Sequence, residues 1–238
     1  MLLALLTTIA LIIPNNVEAR TIRVAVIDSG VNTADLINVK RCPNLDKDFS
    51  GETLKDDLNH GTKILNLIAQ GNENVDYCVA VIKIFSGKFS VFFMNKYFKA
   101  LEYVLYNKFD IVNLSLNGNT KYKTEETLIK TLSDIGTIVV IAAGNDKKDL
   151  SIKCDQYPAC YDRRSVIVGA VPVMGIRQDN ESNYESKNTG IIDVIVSGDY
   201  YNYKTKQLSY GTSFAAPRVV STLIRQLQVK SRNSLHFQ

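Results

Sequence analysis

The chain has 238 residues, 45% of them hydrophobic and 22% charged, with a formal net charge of +4. That length is enough for one large domain with a well-buried core. The basic residues are scattered and their surplus is small, which argues against a nucleic-acid partner, and no internal repeat or low-complexity linker divides the chain.

Residues 1–19 hold an apolar run from Leu2 to Ile13, then Pro14 and the small-residue pattern Val17-Glu18-Ala19. This reads as a secretory signal peptide whose only positive charge is the amino terminus. The run is too short to span a bilayer comfortably, so the expectation is export without stable membrane association after cleavage; an uncleaved anchor is the alternative. Removing Glu18 with the signal takes the charge from +4 to +5 and leaves 219 residues (238 minus 19) as one domain, 20–238, with a polar tail over 228–238. Four cysteines, Cys42, Cys78, Cys154 and Cys160, imply two disulfides in an exported chain, and three pairings are possible. Cys154 and Cys160 flank a short Pro-containing loop and form the natural local pair, which leaves Cys42 with Cys78. Their spacing matches no zinc motif.

Thr21 to Ile27 is a nearly continuous β-branched run, the pattern of a strand buried on both faces, and it leads into Asp28-Ser29-Gly30. Asn59-His60-Gly61-Thr62 opens a helix with Asn59 as cap, Ile64, Leu65, Leu67 and Ile68 as apolar face and Gly71 as stop. Then come a strand (79–85), a helix (91–106), a strand (110–116), a helix (124–134), a strand (137–143) and two further apolar strands (166–171, 191–196). Such alternation predicts an α/β fold with a mostly parallel sheet covered by helices on both faces. A Tyr-rich stretch, 200–210, reads as a hairpin leading into Gly211-Thr212-Ser213. From Ser213 onward, Ala216, Val220, Leu223, Ile224 and Leu227 recur at helical offsets, so Ser213 falls in a helix's first turn beside free backbone N–H groups. Pro217 is expected among the first four residues of that helix, where a missing amide hydrogen is harmless.

Ligands gather at the carboxyl ends of parallel strands. Asp28 and Asn145 follow strands; His60 and Ser213 begin helices. A serine that attacks a carbonyl needs a base near neutrality, and an imidazole needs a carboxylate to fix its tautomer. The chain has two histidines, and His236 lies in the terminal tail, so a histidine base is His60. Taken singly, each element also has a plain structural reading, as a turn, a helix start or a serine N-cap.

Together, Val26-Ile27-Asp28-Ser29-Gly30, Asn59-His60-Gly61-Thr62, Ala142-Ala143-Gly144-Asn145 and Gly211-Thr212-Ser213-Phe214-Ala215-Ala216-Pro217 resemble the subtilisin-like serine peptidases, or subtilases, in motif and in order. The resemblance implies a single-domain subtilisin-like fold and a secreted endopeptidase, with Ser213 as nucleophile, His60 as base and then acid, and Asp28 orienting it. It implies an oxyanion hole from the Asn145 amide and the Ser213 N–H. Ser115, Leu116, Asn117 and Gly118 would form one wall of the pocket for the residue before the scissile bond, and Ala142, Ala143 and Gly144 the other. Ser86-Gly87-Lys88-Phe89 is the candidate second edge for an extended substrate, with a plain turn as its alternative.

The chain departs from the family at Lys63, where a second His is usual, at Ile64-Leu65-Asn66, at Arg218, and at Asn117, where Gly is usual on the substrate wall. Gln156 is expected near the pocket floor. Only Arg20 separates the expected cleavage site from the first strand, so no propeptide is expected; disulfides or an accessory folding or inhibitory protein would take over its roles. No metal or cofactor is expected to be required. Structural calcium is implied only weakly, and Asp46, Asp48, Asp56 and Asp57 read better as solvated carboxylates. Two other functions stay open: an inactive peptide-binding protein on the same scaffold, and an esterase using the same triad.

Overall fold

The computed structural model describes residues 20–87, 92–172 and 181–235. The signal segment, Lys88 and Phe89 of the candidate second edge, and His236 lie outside the described residues.

The parallel sheet contains β1 (Ile22–Asp28), β2 (Lys47–Asp48), β3 (Tyr77–Lys83), β4 (Ile111–Leu114), β5 (Ile138–Ala142), β6 (Val166–Val171) and β7 (Val194–Ser197), in the order β2-β3-β1-β4-β5-β6-β7. All six neighbouring pairs are parallel. Period-two alternation divides β1, β3, β4, β5 and β6 between two cores. Val24 and Val26 face one with Ile64, Leu65 and Ile68 of α1 (His60–Ala69) and Val220 and Ile224 of α4 (Thr212–Leu235). Ala25 and Ile27 face the other with Leu101 of α2 (Phe93–Asn107) and Ile129 of α3 (Lys123–Asp134). Helices on both faces explain why the strands read as apolar runs.

The chain steps outward from β1 to β3, then returns to lay β4 on the other flank of β1. The crevice at this reversal, beyond the carboxyl ends of β1 and β4, is where such sheets bind ligands. Asp28 ends β1, and Ser115 follows β4.

The expected elements are present, with boundaries shifted by at most three residues. Asp28 is the last residue of β1 rather than the turn after it. The hairpin is β8 (Asp199–Asn202) paired antiparallel with β9 (Gln207–Tyr210). The polar tail expected from residue 228 is helix as far as Leu235, because residues 230–235 contain neither Pro nor Gly and α4 propagates through them. Both expected cysteine pairs are bonded, Cys42–Cys78 across 36 residues and Cys154–Cys160 across six.

The acidic stretch is not a set of solvated carboxylates. Asp46 accepts from Val81 N at 2.8 Å and pairs with Arg41, and Asp56 is only 2% exposed. Among the described residues, no group of three His, Cys, Asp or Glu side chains is placed to hold a metal ion.

Candidate active site

Asp28, buried at the end of β1, receives His60 Nδ1 at 2.8 Å on Oδ1 and 3.0 Å on Oδ2. An ionised carboxylate only accepts, so Nδ1 carries the hydrogen and Nε2 is left as the acceptor. Ser29 N also donates to Asp28 Oδ1, at 2.7 Å. The close approach of α1 to β1 depends on Gly61, where a Cβ would lie 2.4 Å from the Gly30 carbonyl oxygen.

A second buried carboxylate stands behind this pair. The Ser29 hydroxyl lies 2.7 Å from Asp56 Oδ1 and 3.0 Å from Asp28 Oδ1, and accepts from Gly61 N at 3.0 Å. Asp56 Oδ2 accepts from Thr62 N at 2.8 Å and Thr62 Oγ1 at 2.7 Å. Asp56 thus satisfies the amino terminus of α1, where a negative acceptor also suits the helix dipole. The expected cap, Asn59, has a left-handed backbone (φ 56°) and makes no side-chain capping bond. Asp56 reads as a solvated carboxylate in the sequence because its bonds depend on the fold back onto Ser29; its place four residues before His60 is the one local signal of its role.

Burial of the His60 ring opposes a charge on it, but the charge and hydrogen bond of Asp28 outweigh this and Asp56 adds to them. Lys63 acts in the opposite sense, and the net effect raises the imidazole pKa above its ordinary 6.5. Lys63 Nζ donates to Ser209 Oγ at 3.2 Å and lies over the rings of Tyr200 (5.6 Å) and Phe214 (5.8 Å). Phe214 in turn lies 5.5 Å from the His60 ring and stacks on Tyr200 at 5.7 Å. Two other departures, one in α1 and one in α4, have equally local reasons. Asn66 holds the turn at Asp35 and Ile37 through both ends of its amide, and Arg218 donates to the Asp199 carbonyl at 2.7 Å.

Ser213 is the second residue of α4, so its N–H is among the donors without an intrahelical acceptor. Pro217 is the sixth residue of α4, outside the first four. Its missing N–H is the one that would have bonded the Ser213 carbonyl, which accepts from Ser115 Oγ at 2.8 Å instead. Ser213 Oγ donates to the Ser115 carbonyl at 3.3 Å, so the two serines bond reciprocally and no His60–Ser213 hydrogen bond is made among the described residues. Rotation about the Ser213 side-chain bond frees Oγ from Ser115, and such contacts often tighten only with substrate bound.

Asn145 is exposed, and its Oδ1 accepts from Thr212 N at 2.9 Å and Thr212 Oγ1 at 3.1 Å. These bonds fix the amide so that Nδ2, which has no partner among the described residues, is the free end. Thr212, fully buried, positions the Asn145 amide, and nothing in its motif sets it apart from its neighbour Ser213. Of the residues expected to form pocket walls, Ala143, Gly144 and Gly118 have their backbone groups engaged within the fold, Gly118 with Tyr157 in both directions.

The model of the subtilase family matches residues 19–233. The chain belongs to the subtilase family. This subtilase is 28% identical over 240 residues to the major intracellular serine protease of Bacillus subtilis (strain 168), a match covering 93% of this chain and 72% of that one. It is 28% identical over 217 residues to the subtilisin of Bacillus pumilus, covering 83% and 74%. Among solved structures, a lanthipeptide protease superposes with a TM-score of 0.70 at 19% identity, covering 91% of this chain and 75% of that one. A cold-adapted subtilisin-like serine proteinase gives 0.64 at 20% identity, covering 91% and 78%. These structural matches support the subtilisin-like α/β fold.

Proposed function

We propose that this subtilase is an exported serine endopeptidase that cleaves peptide bonds through an acyl-enzyme on Ser213. The observation that carries this is the seating of His60 Nδ1 on both oxygens of Asp28, beside the helix terminus that presents Ser213. Ser213 Oγ attacks the scissile carbonyl carbon as its proton passes to His60 Nε2. The oxygen that becomes negative is met by Asn145 Nδ2 and Ser213 N, while Asp28 stabilises the imidazolium. His60 then gives the proton to the leaving amine. Water completes the cycle by the same proton path. Export is supported by the apolar amino-terminal run and by two disulfides, which persist in oxidising compartments. Among the described residues no helix is long and apolar enough to cross a membrane.

The Ser213–Ser115 contact favours a second reading, an inactive peptide-binding protein with the nucleophile turned away. Labelling with a fluorophosphonate decides between them. Labelling of the wild type that is lost in Ser213→Ala supports the peptidase, and a folded wild type that stays unlabelled supports the binding protein. Comparing peptide with ester substrates then tests for an esterase.

A further inference from the structure

Beside Ser213, three segments meet at one bare Cα. Gly118 and Tyr157 exchange backbone hydrogen bonds of 2.8 and 2.7 Å, which joins the 115–118 segment to the loop carrying Gln156. Opposite them, β5 runs into Gly144, the residue before Asn145. A Cβ on Gly144, whose φ is +103°, would lie 2.4 Å from Asn183 Nδ2, 2.8 Å from Asn117 Nδ2 and 3.0 Å from Gln156 Oε1. Three carboxamides therefore converge there, and they differ in how far they are satisfied.

Asn183 is engaged at both ends of its amide. Its Nδ2 donates to the Ala143 carbonyl at 2.8 Å, and its Oδ1 accepts from Asp146 N and Lys148 N at 3.1 and 2.9 Å. Gln156 is 1% exposed, yet its Oε1 has no hydrogen-bond partner among the described residues. Asn117 is exposed, with its Nδ2 over the same point. Native interiors seldom leave a buried acceptor unmatched unless something else supplies the donor. The loop holding Gln156 is well anchored. The Cys154–Cys160 disulfide closes it, Tyr157 stacks on Tyr161 at 4.7 Å, and the Tyr161 hydroxyl donates to Glu125 at 2.9 Å.

We propose that Gln156 and Asn117 are specificity-determining residues, and that they select an uncharged polar side chain, a carboxamide foremost, on the substrate residue before the scissile bond. This rests on the reading of Ser213 as nucleophile, which places the cleft beside that residue. A substrate carboxamide donates N–H to Gln156 Oε1 and accepts from Asn117 Nδ2, so one planar group matches both. An apolar side chain leaves the Gln156 oxygen unpaired and desolvated. A charged one enters among carboxamides that offer no counter-ion. Sites built to hydrogen-bond a substrate group reject the analogue lacking it far more strongly than a pocket senses one methylene.

The test uses peptidyl diphenyl phosphonates, in which Ser213 Oγ bonds to phosphorus and phenol leaves, so the side chain under comparison is fixed next to the reacting centre. On the full chain after signal removal, the Gln analogue is expected to label at least about tenfold faster than the Phe, Lys or Glu analogues. Asn117→Gly, at an exposed position that leaves the fold intact, is expected to bring the Gln and Phe rates to within about twofold of each other. Gln156→Leu, checked for folding by its melting curve, is expected to reverse the order. Equal or faster labelling by the Phe, Lys or Glu analogue of the wild type overturns the proposal while leaving Ser213 as nucleophile. Failure of a simple fluorophosphonate to label folded protein overturns both together.

Discussion

On the histidine side of the cleft, each side-chain oxygen of Asp28, Ser29, Asp56 and Thr62 has a partner inside the fold, most of them at 2.7 to 3.0 Å. On the serine side, Asn145 Nδ2 and Gln156 Oε1 have none among the described residues, and Ser213 Oγ is held only by a 3.3 Å bond to Ser115. The difference matches what each half must do in the proposed mechanism. A base has to keep one tautomer and one orientation through the reaction, so its surroundings are completed in advance. A nucleophile and an oxyanion site act on groups that arrive with the substrate, so their hydrogen-bonding capacity stays open until then.

Substitutions on the open side should cost activity far more than stability, although Asn145→Ala also takes from buried Thr212 the acceptor of its N–H and hydroxyl. Ser213→Ala is expected to lower kcat about a million-fold, the scale found for the nucleophile of subtilisin itself. Its melting temperature should stay near that of the wild type, since the lost hydroxyl makes one long bond. Asn145→Ala is expected to lower kcat about 10²- to 10³-fold with KM little changed, because its free amide acts only as charge develops; that magnitude too is one known from a subtilisin. A matching rise in KM would mean that Asn145 binds ground-state substrate, and would weaken the contrast between the two sides.

The completed side should respond the other way. Asp56→Asn puts an amide opposite two donors of Thr62 or takes an acceptor from Ser29, so about 2 kcal/mol of stability should be lost, a fall of roughly 4 to 8 °C in melting temperature. Asp56 also helps to hold the His60 pKa up, so the acid limb of kcat/KM should move to lower pH. Unchanged stability would show that the Asp56 network is dispensable to the fold.

How far these two halves could be read from the sequence follows from the range of the interactions. Asp28, His60, Asn145 and Ser213 sit in short motifs, each tied to a strand end or helix start, and alternating apolar runs located the sheet. Asp56 looked like one of four solvated acids, and Asn183 lies in a polar stretch with no local pattern; both earn their roles by contacts with distant segments. Asn183 meets Gly144 from 39 positions along the chain, 183 minus 144. Pro217 was recognised, but its consequence was not. That depends on Ser115 supplying the bond the ring removes, and nothing in residues 211–217 announces it.

Lys63 lies on the boundary between the two sides, and removing its charge should produce the smallest effect and the most specific one. It sits one turn after His60, donates to Ser209 and covers Phe214, while the charges that face the imidazole are Asp28 from β1, Asp56 from the preceding loop and Lys63 itself. Lys63 holds the His60 pKa down against the two carboxylates, so Lys63→Met lets the ring keep its proton to higher pH. The base must be neutral, so the acid limb of kcat/KM should move up by a few tenths of a pH unit, while the plateau above it changes less than about twofold. The stability sign is opposite. A histidine whose folded pKa is raised contributes stability that is fully present below its unfolded pKa of about 6.5 and is lost as pH climbs through the folded value. The protein therefore draws most from His60 where His60 is least able to act, and Lys63→Met should widen that conflict. Melting curves across about pH 5.5 to 8, set beside the pH–rate profile, check both signs on one sample. Movement of the acid limb to lower pH would mean that Lys63 acts through the aromatic packing of Phe214 and Tyr200 rather than through its charge.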